Sequence, residues 1–239
     1  MRAQERHHLK QNEFVATLTR VVTFAQEHRD RLVLAGVLVL ALAAAAGGYF
    51  WLRSNTAQHA GEAFGIAMSV YESPIEPAPM VPGAAQAPGT YPTAAARLQA
   101  ALAAFNRVAL MFPSTPAGIG ARYQTGEILL ALGRATEAQA AYQDVIDHGG
   151  SSLYVPVARM GLAEAYLVGE DYPKAIKLFE DLAAQRDGAL PVDGVLMQLA
   201  EAYSKAGKTA EARTTLKRVV DEFPQSPYVA GARQRLAAM

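Results

Sequence analysis

The chain has 239 residues, enough for one domain or one and a half, and its 22 basic residues balance 22 acidic ones, so the formal net charge is zero. This balance excludes a general electrostatic attraction to nucleic acid. The absence of cysteine excludes disulfides, thiolate metal ligands and a cysteine nucleophile, and it leaves the redox compartment open.

The N-terminal tail, residues 1–31, has the pattern of a short amphipathic helix. Its apolar residues from Phe14 to Ala25 recur at the spacing of one helical face. Such a helix lies on the inner membrane surface or docks on a partner protein, and the sequence leaves both alternatives open. His7, His8 and His28 lack the further ligands that a metal site needs, so we predict no metal and no cofactor.

An uncharged apolar segment follows at residues 32–52, between Arg31 and Arg53. As a helix it would reach roughly 31 Å, close to the hydrocarbon thickness of a bilayer, about 30 Å. Aromatic residues at its far end favour the headgroup region. The segment is therefore predicted to be a transmembrane helix. The alternative is a cleaved signal peptide ending near Ala46, but the long leader and long apolar run favour an uncleaved anchor.

The distribution of basic residues predicts the orientation of this anchor. Six Lys and Arg residues precede it, and none occurs between Arg53 and Arg97. By the positive-inside rule the N-terminus is cytoplasmic and the C-terminal domain lies across the inner (cell) membrane, which in a bacterium is the periplasm. Small residues four apart, such as Ala43 and Gly47, either admit a second transmembrane helix or face lipid.

The next two segments are predicted from periodicity and from proline. Residues 53–72 have the pattern of a juxtamembrane helix, with Phe64 and Tyr71 on its apolar side. Residues 73–93 contain six prolines, which remove hydrogen-bond donors and disfavour helix. We therefore expect an extended, largely unstructured loop there.

A repeat of 37 residues dominates the rest of the chain. Its alanines are each followed four residues later by a large apolar residue, and they are Ala101, Ala138, Ala175 and Ala212. Gly133, Gly169 and Gly207 precede three of these alanines, where one helix must stop and turn. A fixed period of this length indicates stacked supersecondary units. Residues 94–225 are predicted to be repeated helical hairpins, and residues 226–239 a capping helix.

The residues of these hairpins resemble the tetratricopeptide repeat. The last repeat matches best, through Leu196, Leu199, Ala200, Tyr203, Gly207, Ala212, Leu216 and Pro224. The second repeat departs from the pattern at Arg122 and Thr125, where apolar residues are usual. The resemblance implies an all-α fold in which one transmembrane helix precedes an α-solenoid. The solenoid would contain about four hairpins, the first of them formed with residues 53–72 and interrupted by the Pro-rich loop.

Small residues are expected wherever the two helices of a hairpin meet. In this register Gly126, Ala163 and Ala200 lie opposite Ala138, Ala175 and Ala212. The helices can then approach closely, and the large residue four positions after each alanine fills the space against the next repeat.

The same resemblance implies a protein-binding concave face lined by the first helix of each repeat. The positions concerned are Tyr123, Met160, Met197, Glu127, Glu164 and Glu201. Methionine adapts to varied partners, and the carboxylates would favour a segment that carries Lys or Arg. Alternatively, the glutamates are simply good helix formers on a solvated face.

In its arrangement of tail, span and repeats the chain is similar to the ancillary Sec translocon subunit family. That similarity implies a scaffold in protein export or envelope assembly, with a translocon, a chaperone or another membrane complex as protein partner, and contact with membrane lipid. The alternative is a structural accessory subunit of a larger inner-membrane complex. Asp147 and His148 lack a nearby nucleophile, so we predict no enzyme, no small-molecule substrate and no nucleic-acid partner.

Overall fold

A computed structural model of the chain describes residues 29–77, 86–185 and 188–239. Within these ranges the structure contains nine α-helices and no strand beyond one isolated bridge. The helices are α1 (Arg29–Tyr71), α2 (Ala94–Met111), α3 (Pro116–Ala131), α4 (Ala135–His148), α5 (Tyr154–Val168), α6 (Tyr172–Ala183), α7 (Val192–Lys205), α8 (Thr209–Glu222) and α9 (Val229–Ala237). The amphipathic pattern before residue 29 and its histidines lie outside the described residues.

The chain divides into two compact units, one ending at Asn55 and the other spanning Thr56–Met239. In the first unit the apolar side chains of α1 are exposed: Leu40 is 71% and Trp51 68% accessible. By length and composition α1 is able to cross a membrane, and a signal sequence meets the same criterion. The residues predicted to form a transmembrane and a juxtamembrane helix belong to this one helix, because no proline interrupts it.

The second unit is a succession of helical hairpins in which each helix packs on the next along the sequence. The end of α1 forms the first hairpin with α2: the Phe64 and Phe105 rings are 5.4 Å apart, and Ala67 is buried in the same cluster. The following hairpins are α3/α4, α5/α6 and α7/α8, with α9 packed on α8. First helices also contact one another, α3 with α5 and α5 with α7. The predicted all-α solenoid is confirmed.

Local chemistry sets where several of these helices begin. Thr93 Oγ1 accepts a hydrogen bond from the backbone N–H of Ala96 at the start of α2, and Thr115 does the same for Gly118 in α3 (both 3.0 Å). Pro116 occupies the first turn of α3, where its missing N–H removes no helical hydrogen bond. These caps define the start of two neighbouring helices and therefore the register between them.

The Pro-rich insert is more ordered at its base than expected. Ile75 and Tyr91 form the isolated bridge, in which the Glu76 N–H donates to the Tyr91 carbonyl at 2.9 Å. The Arg97 guanidinium donates to the Ser73 carbonyl at 3.2 Å and lies over the Tyr71 ring. These contacts join the two ends of the insert, so the long connection leaves the α1/α2 hairpin intact.

The turns between hairpin helices require a residue with positive φ, and the third hairpin meets this need in an unexpected way. Gly133 and Gly207 adopt φ values of 73° and 74°. In the third hairpin the equivalent residue is Glu170, with φ 61°, whereas Gly169 has an ordinary φ of −79°. Gly169 caps the end of α5, so the helix stops where the sequence predicts, and the positive φ falls on the next residue. A side chain at positive φ is strained because Cβ approaches the carbonyl oxygen.

We predict that Glu170→Gly stabilises the protein. Glycine relieves the left-handed strain, although it also raises the entropy of the unfolded chain, so the expected net gain is about 0.5–1 kcal/mol. This corresponds to roughly 1–4 °C in the melting temperature, measured by circular dichroism. The matched controls Gly133→Ala and Gly207→Ala should lower the melting temperature, and a lower value for Glu170→Gly would contradict the strain.

Candidate protein-binding face

The six residues predicted to line the concave face lie on the first helices α3, α5 and α7. Each of these helices contributes one apolar or aromatic residue and, one turn later, one glutamate. All six side chains are half-buried. Because α5 contacts both α3 and α7, the row is continuous across three repeats. We call this row the acidic face.

Close packing around Tyr142 fixes the geometry at one end of the acidic face. A Cβ built on Gly126 of α3 would lie 2.6 Å from the Tyr142 ring, and one on Gly161 of α5 would lie 2.5 Å from it. The ring is therefore held between two first helices and can be accommodated only where both residues are glycine. The Tyr142 hydroxyl donates to Glu127 Oε1 at 2.5 Å, which orients that carboxylate.

Tyr123 belongs to the same aromatic group. Its ring centroid lies 5.9 Å from that of Tyr142 and 5.6 Å from that of Tyr154. Burial is the main cause that raises the pKa of Tyr123 and of Tyr142, and the nearby Glu127 carboxylate raises both further. Both hydroxyls therefore stay protonated and available as hydrogen-bond donors across the physiological pH range.

Glu164 occupies the centre of the acidic face, and the carboxylates on both sides of it repel its own carboxylate. Burial raises its pKa, and the carboxylates of Glu127 and Glu201 raise it further. The Gln198 amide donates a hydrogen bond to Glu164, with Nε2 3.3 Å from Glu164 Oε1. Glu164 therefore lies within electrostatic reach of the other two glutamates. A cation placed near Glu164 would relieve the repulsion between them.

Glu201 is partly neutralised by residues of the C-terminal repeat. Lys205 Nζ lies 3.5 Å from one of its carboxylate oxygens, and a guanidinium nitrogen of Arg235 lies 3.7 Å from the other. Arg233 and Arg235 are both exposed, and Arg235 also extends from α9 to the end of the acidic face. The attraction for cations is therefore concentrated on Glu164 rather than spread evenly.

The two methionines lie one turn before Glu164 and Glu201. Met160 and Met197 pack against the hydrophobic cluster of the C-terminal repeats and remain partly accessible. The Met197 methyl group lies beside α9, 3.9 Å from the position of a Cβ on Gly231. A flexible thioether here offers an apolar contact next to each carboxylate.

Sequence reasoning missed the polar groups that orient these carboxylates. Tyr142 was identified as a packing residue, but the hydrogen bond from its hydroxyl was not foreseen; the signal is its contrast with Phe105 and Phe179 at the equivalent positions. Gln198 and Lys205 carry no such signal, because polar residues on an exposed helical face are common.

Two polar departures from the repeat pattern find partners between helices. Arg122 Nε lies 2.9 Å from a carboxylate oxygen of Asp144 on α4, and its side chain is only 18% exposed. The Thr125 hydroxyl lies 3.1 Å from Asn106 Oδ1 on α2. Arg122 is therefore an interhelical ion-pair residue rather than a simple surface charge, and these contacts support the register of the second repeat.

Asp147 and His148 do not pair with each other. The Asp147 carboxylate accepts a hydrogen bond from Gln143, and His148 Nδ1 lies 2.8 Å from an Asp144 carboxylate oxygen. Within the described residues no group of three or more acidic or histidine side chains is placed to hold a metal ion.

We predict that Glu164→Gln stabilises the protein at neutral pH. The raised folded-state pKa means that the folded protein binds the proton more tightly than the unfolded chain. The charged carboxylate therefore costs stability above that pKa, and the cost disappears as pH falls below the ordinary value of 4.5. The expected gain at pH 7 is at most about 1 kcal/mol, or roughly 2–4 °C in melting temperature.

The control for this variant is Glu201→Gln, which removes a carboxylate that has two cationic neighbours. Its melting temperature should stay level or fall slightly. A Glu164→Gln variant that is less stable than the parent at pH 7, or whose effect does not change between pH 7 and pH 4, would contradict the strained central carboxylate.

Comparison with known proteins agrees with the repeat fold. Tetratricopeptide-repeat family models match residues 170–236 and residues 84–148 and 123–189. Two crystal structures of nearly identical TPR-like repeats from a putative kinesin light chain of Podosopora anserina share the fold, with TM-scores of 0.53 and 0.52. Both are 19% identical and cover 59% of this chain; the chain covers 76% and 77% of theirs. A thermophilic TPR protein of Thermus thermophilus is 17% identical, with coverage of 59% and 90% and a TM-score of 0.42.

No curated protein matches the chain significantly. Tetratricopeptide repeats generally mediate protein–protein interaction or scaffolding. The family matches together run from residue 84 to residue 236, more than half of the chain, and they coincide with the helical hairpins described above. The chain is a tetratricopeptide-repeat protein.

Proposed function

We propose that this protein is a membrane-anchored scaffold whose acidic face holds a segment of another protein. The observation that carries the proposal is the central carboxylate, Glu164, which is half-buried between two other glutamates and lacks a cationic partner among the described residues. A lysine or arginine of an incoming segment would supply the missing charge. Met160 and Met197 would contact the apolar part of that segment.

The anchor is residues 32–52 within α1. Its apolar side chains are exposed along the first unit, which suits a helix surrounded by lipid. With the basic residues before the span held in the cytoplasm, the tetratricopeptide repeats lie on the periplasmic side of the inner membrane. Protein export and envelope assembly are the processes that such a tethered scaffold suits, with a translocon or a chaperone as partner.

A structural accessory subunit of a larger inner-membrane complex is the second candidate. Gly47 and Gly48 favour it, because each follows another small residue, Ala43 or Ala44, by four positions, and such pairs let a second helix approach closely. Mild-detergent purification separates the two candidates. A stoichiometric complex that survives deletion of residues 94–239 favours the accessory subunit, and its loss favours the scaffold.

The acidic face is tested with the full chain in which Glu127, Glu164 and Glu201 are changed to Gln. Partners are captured by crosslinking in intact membranes at low salt and are identified by mass spectrometry. We expect capture to fall by roughly three- to tenfold, because each exposed ion pair contributes up to about 1 kcal/mol. Among the single variants, Glu164→Gln should cause the largest loss.

The matched control removes one carboxylate from each of three second helices: Asp147→Asn, Asp181→Asn and Asp221→Asn, all at exposed positions. It changes the net charge by the same amount and should leave capture unchanged. Equal capture by the acidic-face variant and the parent would exclude the carboxylates as the binding groups.

The membrane topology is tested with a unique cysteine, which the cysteine-free chain allows. Ser151→Cys places the thiol at an exposed site between α4 and α5. A membrane-impermeant maleimide should label it in intact cells, whereas Asn12→Cys in the tail should react only after lysis. Protection of residue 151 would reverse the proposed orientation, and a mature chain beginning after Ala46 would remove the anchor.

A further inference from the structure

A second surface lies on the side formed by the second helices of the repeats. A cavity of about 580 Å³ opens between α6, α7 and α8, and one of about 510 Å³ opens between α2, α3 and α4. Except for Arg122, every residue that lines the smaller cavity has a counterpart 74 residues later that lines the larger cavity. The two cavities are therefore equivalent sites two repeats apart. We call them the C-terminal and N-terminal cavities.

Small side chains keep the C-terminal cavity open. Ala183, Ala184 and Ala210 form its walls, and Leu199 of α7 lies at its floor. Leu199 is 3% exposed, so the floor belongs to the hydrophobic core. The cavity therefore has an apolar floor and an apolar wall along which an extended aliphatic chain can lie.

The two cavities differ in how their charges are balanced. In the N-terminal cavity, Asp144 is paired with Arg122 at 2.9 Å. Glu137, the counterpart of Glu211 by the 74-residue shift, makes a bidentate contact with Arg134. The carboxylates in this repeat are thus neutralised within the chain itself.

The carboxylates of the C-terminal cavity are not neutralised in this way. Glu180 accepts a hydrogen bond from the Tyr203 hydroxyl, and Glu211 has no ion-pair partner within the described residues. Arg218, the only basic residue in the lining, is paired with Glu222 at 2.8 Å. Lys208, the counterpart of Arg134, lies over the Tyr203 ring at 5.9 Å instead of pairing with Glu211.

We propose that the C-terminal cavity receives a lysine or arginine side chain of a protein partner. The aliphatic stem lies along Ala183, Ala184 and Ala210, and the charged group reaches Glu180 and Glu211 at the rim. A planar guanidinium suits this site better than an ammonium, because its several N–H donors can bond two carboxylates at once. This site is separate from the acidic face and does not depend on it.

The state of Tyr203 is consistent with such a ligand. Burial and the hydrogen bond to Glu180 raise the pKa of Tyr203 to about 12, so its hydroxyl remains a donor and keeps the Glu180 carboxylate in place. Glu180 is thus oriented before a cation arrives, which lowers the ordering cost of binding.

The test uses the full chain in detergent micelles with ¹³C-labelled alanine methyl groups, observed by NMR. The probe is a capped pentapeptide with one central arginine between alanines, and its counterpart carries citrulline, which has the same shape without the charge. The arginine peptide should shift the methyl signals of Ala183, Ala184 and Ala210, and the citrulline peptide should not. Ala140 and Ala141, which line the N-terminal cavity, should not shift with either peptide.

The variant Glu180→Gln/Glu211→Gln should weaken the binding by roughly fivefold, since each exposed pair contributes up to about 1 kcal/mol. Asp181→Asn/Asp221→Asn removes the same charge from the same two helices, outside the cavity, and should bind like the parent. The acidic-face variant should also retain the shifts. Equal shifts with citrulline, equal shifts at Ala140 and Ala141, or no loss in the Glu180/Glu211 variant would each overturn the proposal.

Discussion

The contact on which the solenoid depends is that of a large second-helix side chain against small residues of two first helices. Tyr142 shows it most clearly, because its ring lies between Gly126 and Gly161 with no room for a Cβ on either. The contact sets the distance between successive first helices, and a close-packed interior cannot absorb an extra methyl group without strain. The repetition of Phe105 and Phe179 at equivalent buried positions extends the same constraint along the chain.

This packing also determines which side chains meet on the acidic face. With a period of 37 residues, each first helix presents the same side to the same surface, so glutamates far apart in sequence become electrostatic neighbours. The Tyr142 hydroxyl then connects packing to electrostatics, since the residue that separates the helices also orients Glu127. The geometry of the face is therefore a consequence of the core and does not require a separate folding event.

The repeat was predictable because it depends on residue size at fixed intervals. The alanines and the large residues that define the repeat are all buried. Their spacing also predicts the order of the hairpins, the capping helix and which side of each first helix is shared between repeats. The end of α5 was predictable in the same way, because Gly169 caps it. The left-handed residue was not predictable, because it follows the cap and is Glu170 instead of a glycine. Sequence reasoning locates turns by residue type, whereas the backbone locates them by the last helical hydrogen bond.

What the sequence could not reveal are contacts between residues outside the repeat pattern. Arg235 reaches Glu201 from the capping helix, and Arg97 joins the ends of the Pro-rich insert; each depends on side-chain directions across helices rather than on spacing within one. Long basic side chains have many rotamers, so their partners follow only once the surrounding helices are placed.

The differences between equivalent sites are the most informative part of the structure. Repeats share a backbone, so a residue that packing requires should be similar in each, and a residue that varies is free to serve a particular contact. At the positions equivalent to Arg122 and Asp144 the C-terminal repeat has Leu196 and Arg218, although equivalent helices surround the two cavities. Packing therefore accounts for the existence of each cavity but not for its electrostatic character, which the residues outside the repeat pattern set.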